Sequence, residues 1–346
     1  MARRTWNSRQ KRGSGAKKFL LAVFLILILA AGAAAWLVVA PYGPQSETFV
    51  DLAPGSSTLQ IGRKLEEAGV LRSQFEFDLL RACLRGKLKA GEYRFDHPSP
   101  AVEVYERIAR GDVYTVALVV PEGANIFDIA ARVEQVGLDT RAGFLEAAVK
   151  QANLVADLDP QAKSLEGYLF PDTYRFSRNA GSAQIAATMV RRFRVVAGQV
   201  GVDKNVHQLV TIASLVEKET AVDADRPLVA SVFENRLHKN MALETDPSVI
   251  YGLELAGMWR GIIYRSDLSR DTAYNTYLHP GLPPGPVANP GVSSLHAALN
   301  PASTDYLYFV AAGSDAQGHS LFSSTLDEHN RNVAGYRREM KKAGAP

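Results

Sequence analysis

The chain has a single cysteine, Cys83, among its 346 residues. No intrachain disulfide is available, so the fold must rest on its core rather than on cross-links. Several chemistries also lack their signatures. There is no GxxxxGK[ST] phosphate loop, no GxGxxG after a strand, no GxSxG elbow, and none of the seven histidines falls in an HExxH pair. His319 and His329 have no evident third ligand nearby, so no metal and no other cofactor is expected. Acidic residues are missing from positions 1–18, which hold Arg3, Arg4, Arg9, Lys11, Arg12, Lys17 and Lys18. Taking those seven from the 39 Lys and Arg leaves 32 against 36 Asp and Glu, so the rest of the chain carries a net charge of −4. The basic character therefore belongs to a short tail, and a nucleic-acid-binding body is excluded.

Charge is absent altogether from Phe19 to Ala40, 22 consecutive residues. About 20 apolar residues in a helix cross a hydrocarbon core of roughly 30 Å. The basic cluster in front, with nothing comparable behind, orients residues 1–18 to the cytoplasm and residue 41 onward outside. Trp36 and Tyr42 suit the outer interface. A cleavable signal peptide is the other reading, given the small residues Ala33-Ala34-Ala35, but the apolar run continues past them to Ala40. Both readings export residues 45–346. The site is then periplasmic or otherwise extracytoplasmic, and with the anchor retained the chain is a single-pass protein of the bacterial cytoplasmic (inner) membrane.

Beyond a proline-bearing linker, the pattern predicts an α+β chain. A strand, a Pro/Gly turn and a short helix closed by glycine occur at Phe49–Leu71 and again at Ala117–Leu138. This echo is either a duplicated unit or two uses of a common turn. A strand at Ala90–Phe95 and a helix at Val102–Arg110 complete a small module, giving boundaries at 41–115 and 116–346. The second part reads as mostly helical, with helices at Gly143–Leu154, Ala183–Val200, Asn205–Val222, Arg226–Leu237 and Leu326–Lys342. Strands are expected at Tyr306–Val310 and Leu321-Phe322. Residues 244–300, rich in Pro, Gly, Asn, Thr and Tyr, read as a long irregular and therefore functional segment.

Carboxylate chemistry is what remains. Glu217-Lys218-Glu219 ends a helix whose Leu209, Val210, Ile212, Ala213, Leu215 and Val216 cover most of its circumference, which marks it as largely buried. Glu217 and Glu219 point about 200° apart and cannot face one another as an acid/base pair. At most one enters a cleft, where burial would raise its pKa toward that of a general acid. Spacing alone fits an ordinary solvated charge turn more readily than a catalytic one.

The chain nevertheless resembles the YceG-like (MltG) family of endolytic peptidoglycan (murein) transglycosylases. The likeness is carried by Val120-Pro121-Glu122-Gly123, by Leu165–Tyr174 (LEGYLFPDTY) and by Ala213–Thr220 (ASLVEKET). It continues through Ala230–Leu237, Thr245–Gly252, Ala273–Tyr277, Gly281–Gly285 and His329-Asn330, in one order over nearly all of 45–340. The resemblance implies a small LysM-like, glycan-binding module after the transmembrane helix, then a larger catalytic domain. It carries the catalytic role to Glu219, the second Glu of the E-K-E motif, a choice that helix geometry leaves open.

Glu217, Asn235, Arg236, Asp246, Tyr274, Asn275, Tyr277, Glu166 and Tyr168 lie in the matching blocks as candidate substrate-binding or supporting residues. Tyr306 and Tyr308 read as core aromatics. The implied reaction cleaves the MurNAc–GlcNAc bond of nascent strands, leaves 1,6-anhydro ends and terminates strand elongation. Its implied partners are glycan strands, the membrane and penicillin-binding synthases. The alternatives are a muramidase-type hydrolase, with Asp246 or Glu217 as second carboxylate, and a non-catalytic glycan-binding scaffold.

Overall fold

The computed structural model describes residues 14–313 and 318–342. Most of the basic tail, residues 1–13, lies outside them. The chain divides into two compact units, Met1–Thr115 and Val116–Pro346.

The first unit opens with α1, Ser14–Val39, whose stretch Lys17–Val39 is long and apolar enough to cross a membrane. After it come β1 (Thr48–Leu52), α2 (Thr58–Glu67), α3 (Gln74–Leu84), β2 (Gly91–Phe95) and α4 (Ala101–Arg110). The two strands pair antiparallel, with Thr48 opposite Phe95 and Leu52 opposite Gly91. Alternation turns Val50 and Leu52 inward onto Leu65, Phe77, Phe95, Tyr105 and Ile108. Ser57 starts α2 with a capping box: its hydroxyl accepts from the Gln60 amide, and the Gln60 side chain accepts from the Ser57 amide. Gly111, at φ 79°, ends α4 in a left-handed conformation that costs glycine little.

The second unit begins with β3 (Val116–Val119), α5 (Ile126–Gln135) and α6 (Arg141–Lys150). β4 (Thr173–Phe176) returns antiparallel to β3. Then follow α7 (Ser182–Val200), α8 (Val206–Glu219), α9 (Arg226–His238), α10 (Asp246–Leu255) and α11 (Val292–Leu299). β5 (Tyr308–Ala311) and β6 (Ser320–Ser323) form a second antiparallel pair, and α12 (Leu326–Lys342) closes the described chain.

The centre of this unit is α8, buried without a break from Leu209 to Val216 and packed by α9, α10 and α11. Its two interior hydroxyls are satisfied on the helix's own carbonyls. Thr211 donates to the His207 carbonyl and Ser214 to that of Thr211, while Ser214 also accepts from the Val287 amide.

Two expectations change. The helix expected to run to Val222 stops at Glu219, because Thr220 is already extended (φ −144°). Within the segment 244–300, α10 and α11 are regular, and the long irregular stretch between them runs from residue 256 to 291. Asp246-Pro247 opens α10, since proline in a first turn forfeits a hydrogen bond that the helix could not make anyway.

The LEGYLFPDTY block forms the wall that supports α8. Gly167 stands at φ 87°, and a Cβ there would lie 2.5 Å from Pro286 and 2.8 Å from Val210. Gly167→Ala therefore combines backbone strain with overpacking, and about 2–4 kcal/mol of stability is expected to be lost. Denaturant unfolding of the two proteins side by side measures it.

Candidate active site

The two carboxyls at the end of α8 have opposite fates. Glu217 is drawn into the interior, where Oε1 meets Nη1 of Arg226 at 3.0 Å and both side chains are almost fully buried. Its Oε2 accepts the Gly291 amide at 2.9 Å. Arg226 also binds Asp223 at 3.0 Å and donates to Ser294 on α11. The pair thus ties α8 to the start of α9 and the start of α11, and fixes the rotation of α8 about its axis.

With Glu217 held there, Glu219 faces a cavity of about 270 Å³ lined also by Phe233, Arg236, Asp246, Tyr277 and His329. Thr245 donates its hydroxyl to Glu219 Oε1 at 2.6 Å. That anchors one carboxylate oxygen and leaves the other to carry a proton. Burial raises the Glu219 pKa and the nearby Asp246 charge adds to it, while the Thr245 bond and Arg236 pull the other way. The last turn of a helix, with its unpaired carbonyls, is a further place where a negative charge is disfavoured.

Thr245 is itself held firmly. Its amide donates to the Thr276 hydroxyl at 3.0 Å, and its carbonyl accepts from Ser248 at 2.8 Å. Glu244, just before it, takes a left-handed conformation at φ 50°, a strained choice for a residue with a side chain.

Of the sequence candidates, Glu219, Arg236, Asp246 and Tyr277 meet in this cavity. Tyr277 donates its hydroxyl to Asp246 at 2.8 Å. Arg236 spends Nε on the Leu307 carbonyl and Nη1 on the Leu243 carbonyl, and its guanidinium lies 5.2 Å from the ring of Tyr308. It is a cationic wall braced by backbone. His329 stacks on Tyr308 with ring centroids 5.2 Å apart, and burial, then Arg236, lowers its pKa so that it stays neutral.

The other candidates are placed elsewhere. Asn235 donates to the carbonyls of Thr304 and Tyr306, and buried Asn275 to those of Leu268 and Arg270. Tyr274 packs edge-on against Tyr251 at 4.9 Å. Tyr168 donates to buried Asp159 at 2.6 Å, and Asp159 also holds His207 at 2.8 Å beside a separate hollow. Glu166 is fully enclosed, with its pKa pushed up to about 8 by burial, and accepts from the Ile126 amide and the Asn289 side chain. These five residues shape and brace the unit rather than line the cavity. Thr245 was not among the sequence candidates, although it opens the matching block Thr245–Gly252. Tyr306 and Tyr308 are half-buried rather than core residues.

Residues 50–335 match the model of the YceG-like family. The chain is 34% identical over 325 residues to a Bacillus subtilis (strain 168) protein named endolytic murein transglycosylase, covering 84% of this chain and 86% of that protein. It is 30% identical over 365 residues to a protein of the same name from Streptococcus pneumoniae (strain ATCC BAA-255 / R6), covering 93% of this chain but 65% of that longer protein. Among solved structures, a yceG-like protein from Listeria monocytogenes aligns with a TM-score of 0.56 and 33% identity, over 83% of this chain and 99% of that one.

Two substitutions separate the roles of the carboxyls. Arg226→Ala leaves Glu217 buried and unpaired, and about 3–5 kcal/mol of stability is expected to disappear in denaturant unfolding. Thr245→Val removes a donor that stabilises the charged form of Glu219, so its pKa rises further. The alkaline limb of the pH–rate profile, where the acid is lost by ionisation, is expected to move to higher pH. The maximal rate should fall by roughly tenfold as the carboxyl loses its anchor.

Proposed function

The chain belongs to the YceG-like family, and we propose that it is an endolytic murein transglycosylase with Glu219 as its single acid/base. The observation that carries this reading is the position of Glu219: a carboxyl with a raised pKa, on a cavity wall, with one oxygen fixed by Thr245. Protonated Glu219 donates to the oxygen that joins N-acetylmuramic acid to N-acetylglucosamine. As that C1–O bond breaks, C1 gains oxocarbenium character. The carboxylate then takes the proton of the sugar's own 6-hydroxyl, whose oxygen bonds to C1 and closes the 1,6-anhydro ring. One proton thus passes from O6 to the leaving oxygen by way of Glu219, and no water is consumed. A two-carboxylate hydrolase would instead need a base for water. Glu217, committed to Arg226, is unsuited to that part, which leaves Asp246 for such a reading.

Arg236, Tyr277 and neutral His329 suit the hydroxyl and amide groups of a glycan strand, and Phe233 and Tyr277 offer faces for pyranose rings. The order β1–α2–α3–β2, with its strands paired, supports a LysM-like, glycan-binding role for the first unit. An anchor at α1, with its basic side in the cytoplasm, keeps the enzyme at the inner membrane. There it would cut nascent strands and so terminate their elongation beside penicillin-binding synthases.

The test is mass spectrometry of glycan strands digested by the full chain in detergent, wild type beside Glu219→Gln. Anhydro-ended products are expected from the wild type, with the rate falling by about 10²–10⁴ in the variant at unchanged stability. Hydrated reducing ends would point to a hydrolase using Asp246, and undiminished turnover by the variant would remove Glu219 from the chemistry.

A further inference from the structure

Helix α3 of the first unit carries apolar side chains on two sides. Glu76, Phe77 and Leu80 turn inward to the core. The outward face carries Phe75, Leu79, Ala82 and Cys83, spaced i, i+4, i+7 and i+8 along one side of the helix, and all are exposed. Phe75 is 72% and Leu79 44% exposed. A surface helix of a soluble module normally gives this face to charged and polar residues.

The surroundings of α3 say what covers it. Arg72, two residues before the helix, donates to the Ala40 carbonyl at 3.1 Å and to that of Pro41 at 3.0 Å. Its guanidinium also lies 5.3 Å from the ring of Trp36 and 4.8 Å from that of Tyr42. Arg72 thereby caps the outer end of α1 and holds the start of α3 at the level of the last turn of the apolar span. Val38, from that turn, packs on the core of the module. Basic Arg85 and Lys87 are exposed just past the C-terminal end of α3.

We propose that α3 lies in the outer interface of the same bilayer that α1 crosses, with Phe75, Leu79, Ala82 and Cys83 immersed among the acyl chains and Arg85 and Lys87 at the phosphate level. The inference rests on α1 being a membrane span. An interfacial helix is recognised by an apolar face flanked by basic residues, and its attachment grows with the apolar area immersed. Here Arg72 ties the start of α3 to the end of the span itself. The first unit then meets lipid along two elements rather than hanging from a single tether.

The lone cysteine permits a direct measurement. The full chain, spin-labelled at Cys83, is reconstituted in phosphatidylethanolamine/phosphatidylglycerol vesicles at less than one copy per vesicle. Collision of the label with oxygen, which concentrates in lipid, is compared with collision with a water-soluble nickel chelate. Oxygen is expected to dominate at Cys83, as it should for a label at Ile28→Cys in a Cys83→Ser chain. Phe75→Glu with Leu79→Glu is expected to raise nickel access at Cys83 several-fold while the chain stays in the vesicles. A label open to nickel at Cys83 but not at position 28 would overturn the interfacial helix and leave the span standing. Nickel access at both positions would overturn the span and, with it, the inference. A label at Cys83 closed to both reagents would mean a protein contact and would also overturn it.

Discussion

Two carboxyls separated by one lysine at the end of a helix cannot share a cavity, and the structure of the second unit follows from how that conflict is resolved. Arg226 takes Glu217 into the interior, together with the Gly291 amide, and the rotation of α8 is then fixed. Buried ion pairs of this kind cost desolvation and add little net stability. What this one supplies is orientation, because it leaves Glu219 no direction except the cavity.

Around that fixed helix the remaining parts are positioned by backbone. Thr245 sits between a strained Glu244 and the first turn of α10, where hydroxyls of Ser248 and Thr276 hold it. Arg236 is braced on the Leu307 carbonyl before β5 and on the Leu243 carbonyl before α10, and His329 on the ring of Tyr308. The polar groups of the cavity therefore come from α8, α9, the loop before α10, the first residue of α10, the turn at Tyr277 and α12. They are preorganised, in the sense that few rotamers remain to be frozen when a substrate arrives.

The motif residues outside the cavity form a second network with a packing role. Asn289 links the Ala124 carbonyl, the Leu169 amide and Glu166, and so joins the turn after β3, the LEGYLFPDTY block and the Pro-rich stretch before α11. Buried polar groups joined across distant segments specify one arrangement of those segments, since any other leaves one of them without a partner. Glu166, Tyr168 and Asn275 were site candidates in the sequence because they lie in the matching blocks; in the fold Tyr168 donates to buried Asp159, Asn275 to the Leu268 and Arg270 carbonyls, and Glu166 accepts from the Ile126 amide and the Asn289 side chain.

What is periodic or compositional was legible in the residues alone: the uncharged span at α1, the glycine-stopped helices α2 and α5, the buried character of α8, and α12, whose bounds agree residue for residue. These are local properties, fixed by hydrogen bonds and apolar spacing within a few turns. The divergence of Glu217 and Glu219 was legible too, since that follows from helix pitch alone. Which of the two enters the cavity was decided only in three dimensions, by Arg226 and Gly291, nine and 74 residues beyond Glu217 in the chain. The part played by Thr245, 26 residues beyond Glu219, was decided in the same way. So was the outward apolar face of α3, because amphipathic spacing shows which residues share a side but not which side the core will claim.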